Sequence, residues 1–122
     1  MDSYTNFSYR KLLQAKLEIK NLVAYLNKWS PSASINVLNI LPRESKTRNS
    51  VINELNSFIS VHATDSRNIN YISTELNRNL FCNSVGFRNS HLFNFRGEDN
   101  VHLNTLGQSR LAKFLKYHAH IT

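Results

Sequence analysis

The sequence of 122 residues contains only one cysteine, two prolines and three glycines. A single cysteine excludes an internal disulfide framework. No apolar run approaches the roughly 20 residues that a membrane helix needs, and the N-terminus lacks the apolar region of a signal peptide. We therefore expect no transmembrane segment and take the chain as intracellular by default.

Acidic residues are also scarce, because 8 Asp and Glu stand against 15 Lys and Arg, which gives a formal net charge of +7. This balance favours anionic partners such as nucleic acid or an acidic membrane surface. The basic residues are nevertheless spread along the chain without a continuous block, which is equally typical of a solvated surface. The length and an apolar content of 41% predict one small ordered domain over residues 1–122.

Helical and strand patterns alternate along the chain. Apolar residues recur at helical spacing in three segments, which we predict to be helices: 9–28, 48–63 and 105–118. Two short apolar runs are predicted strands: 35–42 and 69–73. This alternation predicts an α/β fold with a parallel sheet between two helical layers. Two strands are too few for such a sheet, so we expect part of a doubly wound sheet and an incomplete domain.

The C-terminal third of the sequence has weaker patterns. One or two helical turns are predicted over 75–81, and an irregular loop over 82–100. The last helix follows Asn104, a residue type that favours the N-cap position. Gly107 lies on its apolar face, which predicts a close approach of the backbone to a neighbouring element. His118 shares that face and is predicted to be a packed core histidine.

An acid and a histidine precede the last helix. In an open α/β sheet, ligands bind beyond the carboxyl ends of the strands, which here are Pro42-Arg43 and Ser73-Thr74-Glu75. The segment carrying Asp99 and His102 can return to that rim. An Asp near a His can fix the imidazole tautomer and stabilise the imidazolium. The D-x-x-H spacing alone is equally compatible with a loop histidine beside an acid.

The longer stretch DNVHLNTLGQSRLAKFLK, residues 99–116, resembles the final block of the SGNH, or GDSL-type, hydrolases. There, an Asp-x-x-His pair just before the C-terminal helix supplies two members of a Ser-His-Asp triad. INVLNILPR and NINYIS resemble the fourth and fifth strands of that flavodoxin-like fold, so the resemblance covers about Tyr9 to His120. It implies that His102 is the general base, that Asp99 is its orienting carboxylate, and that an ester is the substrate, without a cofactor.

The sequence also departs from that family. The family places its nucleophile in a Gly-Asp-Ser block on the first strand, and its oxyanion hole uses a glycine and the asparagine of a Gly-x-Asn-Asp-like block. This sequence contains none of these blocks. Ser84 and Ser90 are close to Asp99 and His102 in sequence, but neither is predicted on a strand-to-helix elbow. We therefore expect the C-terminal half of such a hydrolase domain, inactive by itself.

Two alternatives stay open. A domain of this fold without a working active site can bind RNA, and the basic stripe of Arg110, Lys113 and Lys116 suits RNA or another anionic partner. A truncated relic related to a mobile element would have an open apolar sheet edge and poor stability.

Three further features are weaker candidates for a functional site. Cys82 is expected to be a buried or idle thiol. His118 and His120 point to different sides of a helix, so we expect no shared metal. Arg43 either meets an anionic substrate at the rim or is a solvated loop residue.

Overall fold

The computed structural model of the chain describes residues 2–75, 79–83, 87–94 and 102–118, and for residues 2–8 it describes only the backbone. In this part the chain is mixed α/β, with three α-helices and one two-stranded parallel sheet. The elements are, in chain order, α1 (Asp2–Trp29), β1 (Ile35–Leu38), α2 (Lys46–Thr64), β2 (Ile69–Ile72), a 3-10 helix (Ser90–Leu92) and α3 (Thr105–His118). Of the helices described, none has the length and hydropathy to span a membrane.

Helix α1 contains the first predicted helix and begins seven residues earlier, at Asp2. Its inner face is partly buried, and it packs beside α2. An ion pair at 2.6 Å joins Lys16 of α1 to Glu54 of α2. Near its C-terminal end, the Asn27 amide donates to the Ser66 hydroxyl at 2.9 Å, just after α2. These contacts fix the two helices side by side.

The two strands pair in parallel, with Ile35 opposite Ile69 and Leu38 opposite Ile72. Strand β2 agrees with its prediction to within one residue. Strand β1 is shorter than predicted, since it ends at Leu38 instead of Pro42. The reason is that β2 also ends there, and beyond this point asparagine side chains take over the hydrogen bonding of the backbone. Strand β1 is also only half-buried, whereas we predicted a strand buried on both faces.

Helix α2 connects the strands and covers the sheet. Its N-cap residue, Ser45, accepts a hydrogen bond from the backbone N–H of Arg48 at 3.3 Å. The apolar face of α2 packs on β2, which buries four side chains: Ile59, Ala63, Ile69 and Ile72. The strand–helix–strand order with parallel pairing agrees with the predicted α/β class.

A second core lies in the C-terminal part of the chain. Phe81, Leu92 and Phe93 are fully buried, and the rings of Phe81 and Phe93 meet edge to face with centroids 5.9 Å apart. Four partly buried leucines surround them: Leu41, Leu80, Leu103 and Leu111. Two of these fully buried residues, Leu92 and Phe93, fall in the segment that we predicted to be an irregular loop. The described part of that segment is therefore a structural anchor.

Helix α3 begins as predicted. The Asn104 side chain accepts from the Gly107 N–H at 2.9 Å, and its amide donates to the carbonyls of His91 and Phe93. Gly107 is buried, and a Cβ at this position would overlap the Leu92 carbonyl oxygen. The predicted close backbone approach is thus confirmed. The prediction for His118 is wrong: its side chain is exposed and stacks on Phe114 from outside, with centroids 4.4 Å apart.

Replacing Gly107 by alanine should destabilise the chain. Helix propensity alone favours alanine by up to about 1 kcal/mol. The overlap with the Leu92 carbonyl and the approach to Leu103 Cδ2 at 2.9 Å should outweigh this. We expect the free energy of unfolding in urea to fall by about 1–3 kcal/mol. The exposed Ser109→Ala in the same helix is the control and should change it by less than about 0.5 kcal/mol. A Gly107→Ala variant as stable as this control would contradict the tight packing.

Candidate functional site

The carboxyl ends of β1 and β2 are joined by a buried asparagine. The Oδ1 atom of Asn39 accepts hydrogen bonds from the backbone N–H of Thr74 at 2.9 Å and from its hydroxyl at 3.1 Å. Both residues are almost completely buried. In a regular parallel ladder, a backbone carbonyl of β1 would fill this position. The asparagine side chain therefore continues the sheet for one more hydrogen bond.

Two further asparagines hold the segment that follows β1. Asn56 of α2 accepts from the Ile40 N–H at 2.7 Å and donates to the Ile40 carbonyl at 3.0 Å. Asn49, two turns earlier on the same face, accepts from the Arg43 N–H at 2.6 Å and donates to the Arg43 carbonyl at 2.7 Å. Each amide group thus pairs with both polar groups of one residue, as a neighbouring strand would. We call these two pairings the asparagine clamps.

A carboxylate holds the segment that follows β2. The side chain of Glu75 accepts hydrogen bonds from the backbone N–H groups of Phe81 at 2.7 Å and Cys82 at 3.0 Å. Burial raises the pKa of the Glu75 carboxyl above its ordinary value, although these hydrogen bonds act in the opposite direction. Glu75 thereby links the end of β2 to Phe81 in the C-terminal core.

An open cleft of about 690 Å³ lies between these segments. It is bounded by α2, by the ends of both strands and by the residues after Glu75. Its lining includes mostly amide, hydroxyl and small apolar side chains: Asn39, Ile40, Pro42, Asn49, Ile52, Asn53, Asn56, Ser57, Ser60, Val61, Tyr71, Ser73, Glu75, Asn79, Cys82 and Asn83. Among the described residues that line it, Glu75 is the only carboxyl group, and none is Lys, Arg or His. Apart from Glu75, the described lining residues offer uncharged hydrogen-bonding groups, and we call this site the neutral cleft.

The position of the cleft agrees with the predicted ligand rim, because Pro42, Ser73 and Glu75 all line it. Arg43 is absent from its lining. The backbone of Arg43 is held by Asn49, and its side chain is partly buried. Desolvation is the main cause that lowers the pKa of Arg88, and the positive charge of Arg43 acts in the same direction. The structure therefore does not favour Arg43 as a ligand-binding residue of the cleft.

Cys82 lines the cleft but is not an activated nucleophile. Burial, the negative charge of Glu75 and a hydrogen bond to its carboxylate raise the pKa of the Cys82 thiol to about 12. The positive charge of Arg88 acts in the opposite direction without overcoming them. A thiol with such a pKa is almost entirely protonated at neutral pH, whereas the thiolate is the reactive form. This agrees with the expectation of an idle thiol.

His102 is exposed and lies two residues before the cap of α3. Its backbone is fixed on both sides: the His102 carbonyl accepts from the Asn94 N–H at 2.9 Å, and Leu103 forms an antiparallel bridge with Phe93. His102 is not among the residues that line the cleft. Asp99 lies outside the described residues, so the structure gives the position of the predicted base but not that of its acid.

Of the other candidate residues, some are described by the structure and some lie outside the described residues. Ser90 begins the 3-10 helix, and its carbonyl accepts from the Phe93 N–H at 3.0 Å. As we expected, Ser90 is therefore not on a strand-to-helix elbow. Ser84 and His120 lie outside the described residues. Within the described part of the chain, no three His, Cys, Asp or Glu side chains converge as metal ligands would. The basic stripe of α3, Arg110, Lys113 and Lys116, is exposed throughout.

Comparison with known proteins adds no assignment. No protein-family model matches the chain, and no curated protein matches its sequence.

The sequence predicts Glu75 at the rim without a role, and it does not predict that the asparagines of α2 hold the segment after β1. A signal for them was present, because an uncharged polar set shares one face of the helix at helical spacing: Asn49, Asn53, Asn56, Ser57 and Ser60. Exposed helix faces commonly carry charged residues. A helix face whose polar side chains are all amides and hydroxyls, with only Ile52 and Val61 as apolar lining residues beside them, therefore indicates specific hydrogen bonding.

Removing a clamp should cost stability. Asn49→Ala leaves the N–H and carbonyl of Arg43 without their partner in a partly buried position, so we expect the free energy of unfolding to fall by about 1–3 kcal/mol. Asn56→Ala should cost less, because Ile40 is 38% exposed and water can replace the amide. The matched control is Asn53→Ala on the same face, since the Asn53 side chain makes no hydrogen bond within the described part of the chain. Equal effects of Asn49→Ala and Asn53→Ala in urea unfolding would contradict the clamps.

Glu75 should make stability depend on pH. Because its folded pKa is raised above the ordinary value of 4.5, the folded chain binds this proton more tightly than the unfolded chain. The stabilisation is fully present below the unfolded pKa and is lost as pH rises through the folded pKa. We expect Glu75→Gln to gain stability relative to the wild type between about pH 4 and pH 7. Urea unfolding at both pH values measures this, with the exposed Glu18→Gln as the control for lost charge. A pH-independent difference between Glu75→Gln and this control would contradict the raised pKa.

Proposed function

We propose that the chain is the C-terminal part of an SGNH-like ester hydrolase domain, with His102 as its general base and Asp99 as the carboxylate that orients it. The observation that carries this proposal is the placement of His102. Its imidazole is exposed, its backbone is fixed by Asn94 and the Phe93–Leu103 bridge, and α3 begins directly after the Asn104 cap. The resemblance requires this arrangement of a histidine just before the C-terminal helix.

The described fold supports the same proposal. Two parallel strands joined by α2, with α1 packed beside α2, suit the last two strands of a doubly wound, flavodoxin-like sheet and the helices preceding each of them. In such a sheet, the connections between successive strands contain helices, and these helices cover the faces of the sheet. The chain would then contribute one side of a sheet whose remaining strands bear the nucleophile and the oxyanion hole.

The proposed chemistry is acyl transfer to a serine outside this chain. That serine attacks the ester carbonyl while His102 accepts its proton, and the imidazolium then gives the proton to the leaving alkoxide. In the second half, His102 takes a proton from the water that attacks the acyl-enzyme, and the imidazolium then gives this proton to the departing serine oxygen, which releases the acid and restores the serine. Because the sequence contains neither the Gly-Asp-Ser block nor the Gly-x-Asn block, we expect the chain by itself to lack the nucleophile that His102 would activate.

The isolated chain should therefore not turn over p-nitrophenyl acetate. We expect its rate to equal those of His102→Ala and of His91→Ala, which removes another exposed histidine. Turnover that is lost only in His102→Ala would show that the nucleophile lies within the chain. If the reading frame upstream encodes a Gly-Asp-Ser block, the longer polypeptide should hydrolyse the ester. His102→Ala should then lower its kcat by roughly 10²- to 10⁴-fold, whereas His91→Ala should not. An upstream frame without such a block would contradict the hydrolase proposal.

A second candidate function, binding of RNA or another anionic partner, is favoured by the basic stripe of α3. Arg110, Lys113 and Lys116 are all exposed, and α3 contains no acidic residue. Phosphate contacts release counterions, so binding to RNA should weaken steeply as the salt concentration rises. No detectable binding at low salt would exclude this candidate.

A further inference from the structure

The single tryptophan of the chain lies on an exposed part of α1 beside a tyrosine. Tyr25 and Trp29 are one helical turn apart, they are 61% and 64% exposed, and their ring centroids are 6.2 Å apart. Leu22, one turn earlier, is also 57% exposed. Large aromatic side chains are usually more buried than this, because they carry much apolar area. Two adjacent exposed rings therefore offer ready-made surfaces for a ligand with flat faces.

A cationic side chain accompanies the two rings. The ammonium group of Lys28 lies 5.2 Å from the centroid of the Trp29 ring. We call Tyr25, Lys28 and Trp29 the aromatic patch. The loop after α2, which carries the exposed Arg67, also lies against the end of α1, because the Asn68 amide donates to the Ser30 carbonyl at 2.8 Å.

A second cleft, of about 430 Å³, lies beyond the end of α1. It is lined by Ser32 and Ser34, which follow α1, and by Arg67 and Asn70 at the start of β2. These residues lie at the amino ends of the strands, whereas the neutral cleft lies at their carboxyl ends. The patch is therefore a surface separate from the candidate hydrolase rim.

We propose that the aromatic patch binds single-stranded nucleic acid, with bases stacked on Tyr25 and Trp29 and a phosphate held by Lys28. The proposal rests on the second candidate function and gives that function a surface besides the basic stripe of α3. The net charge of +7 attracts a polyanion. Exposed aromatic rings favour unpaired bases over paired ones, because unpaired bases have free faces for stacking. In a duplex, those faces are already covered by neighbouring bases.

The first test uses the fluorescence of Trp29, which reports this surface alone because the chain has no other tryptophan. The probe is an oligouridylate of about 12 nucleotides at low salt, a length within the usual range for one single-strand-binding domain. We expect saturable quenching of Trp29 fluorescence at the same concentrations at which the anisotropy of a labelled oligouridylate rises. An RNA duplex of the same length should bind more weakly and quench less. Binding without quenching, or equal binding of the duplex, would overturn the proposal.

Variants test the residues of the patch by anisotropy. Trp29→Leu and Tyr25→Leu should each weaken binding by roughly 5- to 150-fold, the usual loss for one stacked base. The matched control is Tyr9→Leu, because Tyr9 is also 61% exposed on α1 and should not matter. Lys28→Gln should reduce the slope of log affinity against log salt by about 0.7, as expected for one lost phosphate contact on a single strand. Circular dichroism of each variant shows whether it remains folded.

One further variant separates this proposal from the second candidate function. Lys113→Gln on α3 should weaken binding without removing the quenching of Trp29. If Lys113→Gln weakens binding while Trp29→Leu and Tyr25→Leu do not, RNA binds the basic stripe and the aromatic patch proposal is wrong. If the unaltered chain shows no binding at low salt, both are wrong, and the hydrolase proposal is unaffected.

Discussion

Asparagine side chains carry the hydrogen bonding of this fold beyond the point where its short strands stop. Each strand has four residues, and a parallel pair of that length is too small to be stable unaided. The Asn39 amide adds a further bond across the strand ends, and the asparagine clamps attach the next residues to α2. Without them, the segment after β1 would be free to leave the helix, and the neutral cleft would lose one wall.

The same segment is also tied to the C-terminal core. Glu44 forms an ion pair at 3.2 Å with Arg88, whose side chain is almost fully buried over the face of the Phe93 ring. Desolvation lowers the pKa of Arg88, and the Glu44 charge opposes this. A buried guanidinium is costly unless it is compensated, so this contact favours one placement of the segment. The clamps and the Arg88 contact therefore hold the same segment, residues 40–44, and Glu75 makes the corresponding connection from β2.

The α/β class, the helices and the strand positions could be predicted from the sequence because they depend on local periodicity and capping residues, as with Asn104 and Gly107. The role of the segment around Leu92 and Phe93 could not, since its burial comes from contacts with distant residues and shows no period. His118 has the spacing of a core residue but lies at the end of α3, where its ring packs against Phe114 and its side chain is exposed. Helical spacing gives a direction around the helix but does not show whether anything covers that end. For the candidate site, the position of the rim could be predicted, because topology places it at the carboxyl ends of the strands. The asparagine clamps could not be predicted, because they bind the backbone of Ile40 and Arg43, and the helical pattern of α2 does not show where that backbone lies.

Charge is distributed so that the proposed functions fall on different surfaces. The cleft at the carboxyl ends of the strands has Glu75 as its one carboxyl group and no cationic side chain among its described lining residues, although the chain as a whole carries a net charge of +7. A polyanion would gain little there, because neutral amides do not compensate the loss of phosphate hydration as cations do. Exposed cations lie elsewhere on the chain, among them Arg110, Lys113 and Lys116 on α3 and Lys28 near the end of α1. Nucleic acid on the aromatic patch would therefore leave the neutral cleft open, so the proposed hydrolase rim and the proposed nucleic-acid surface are compatible in one chain.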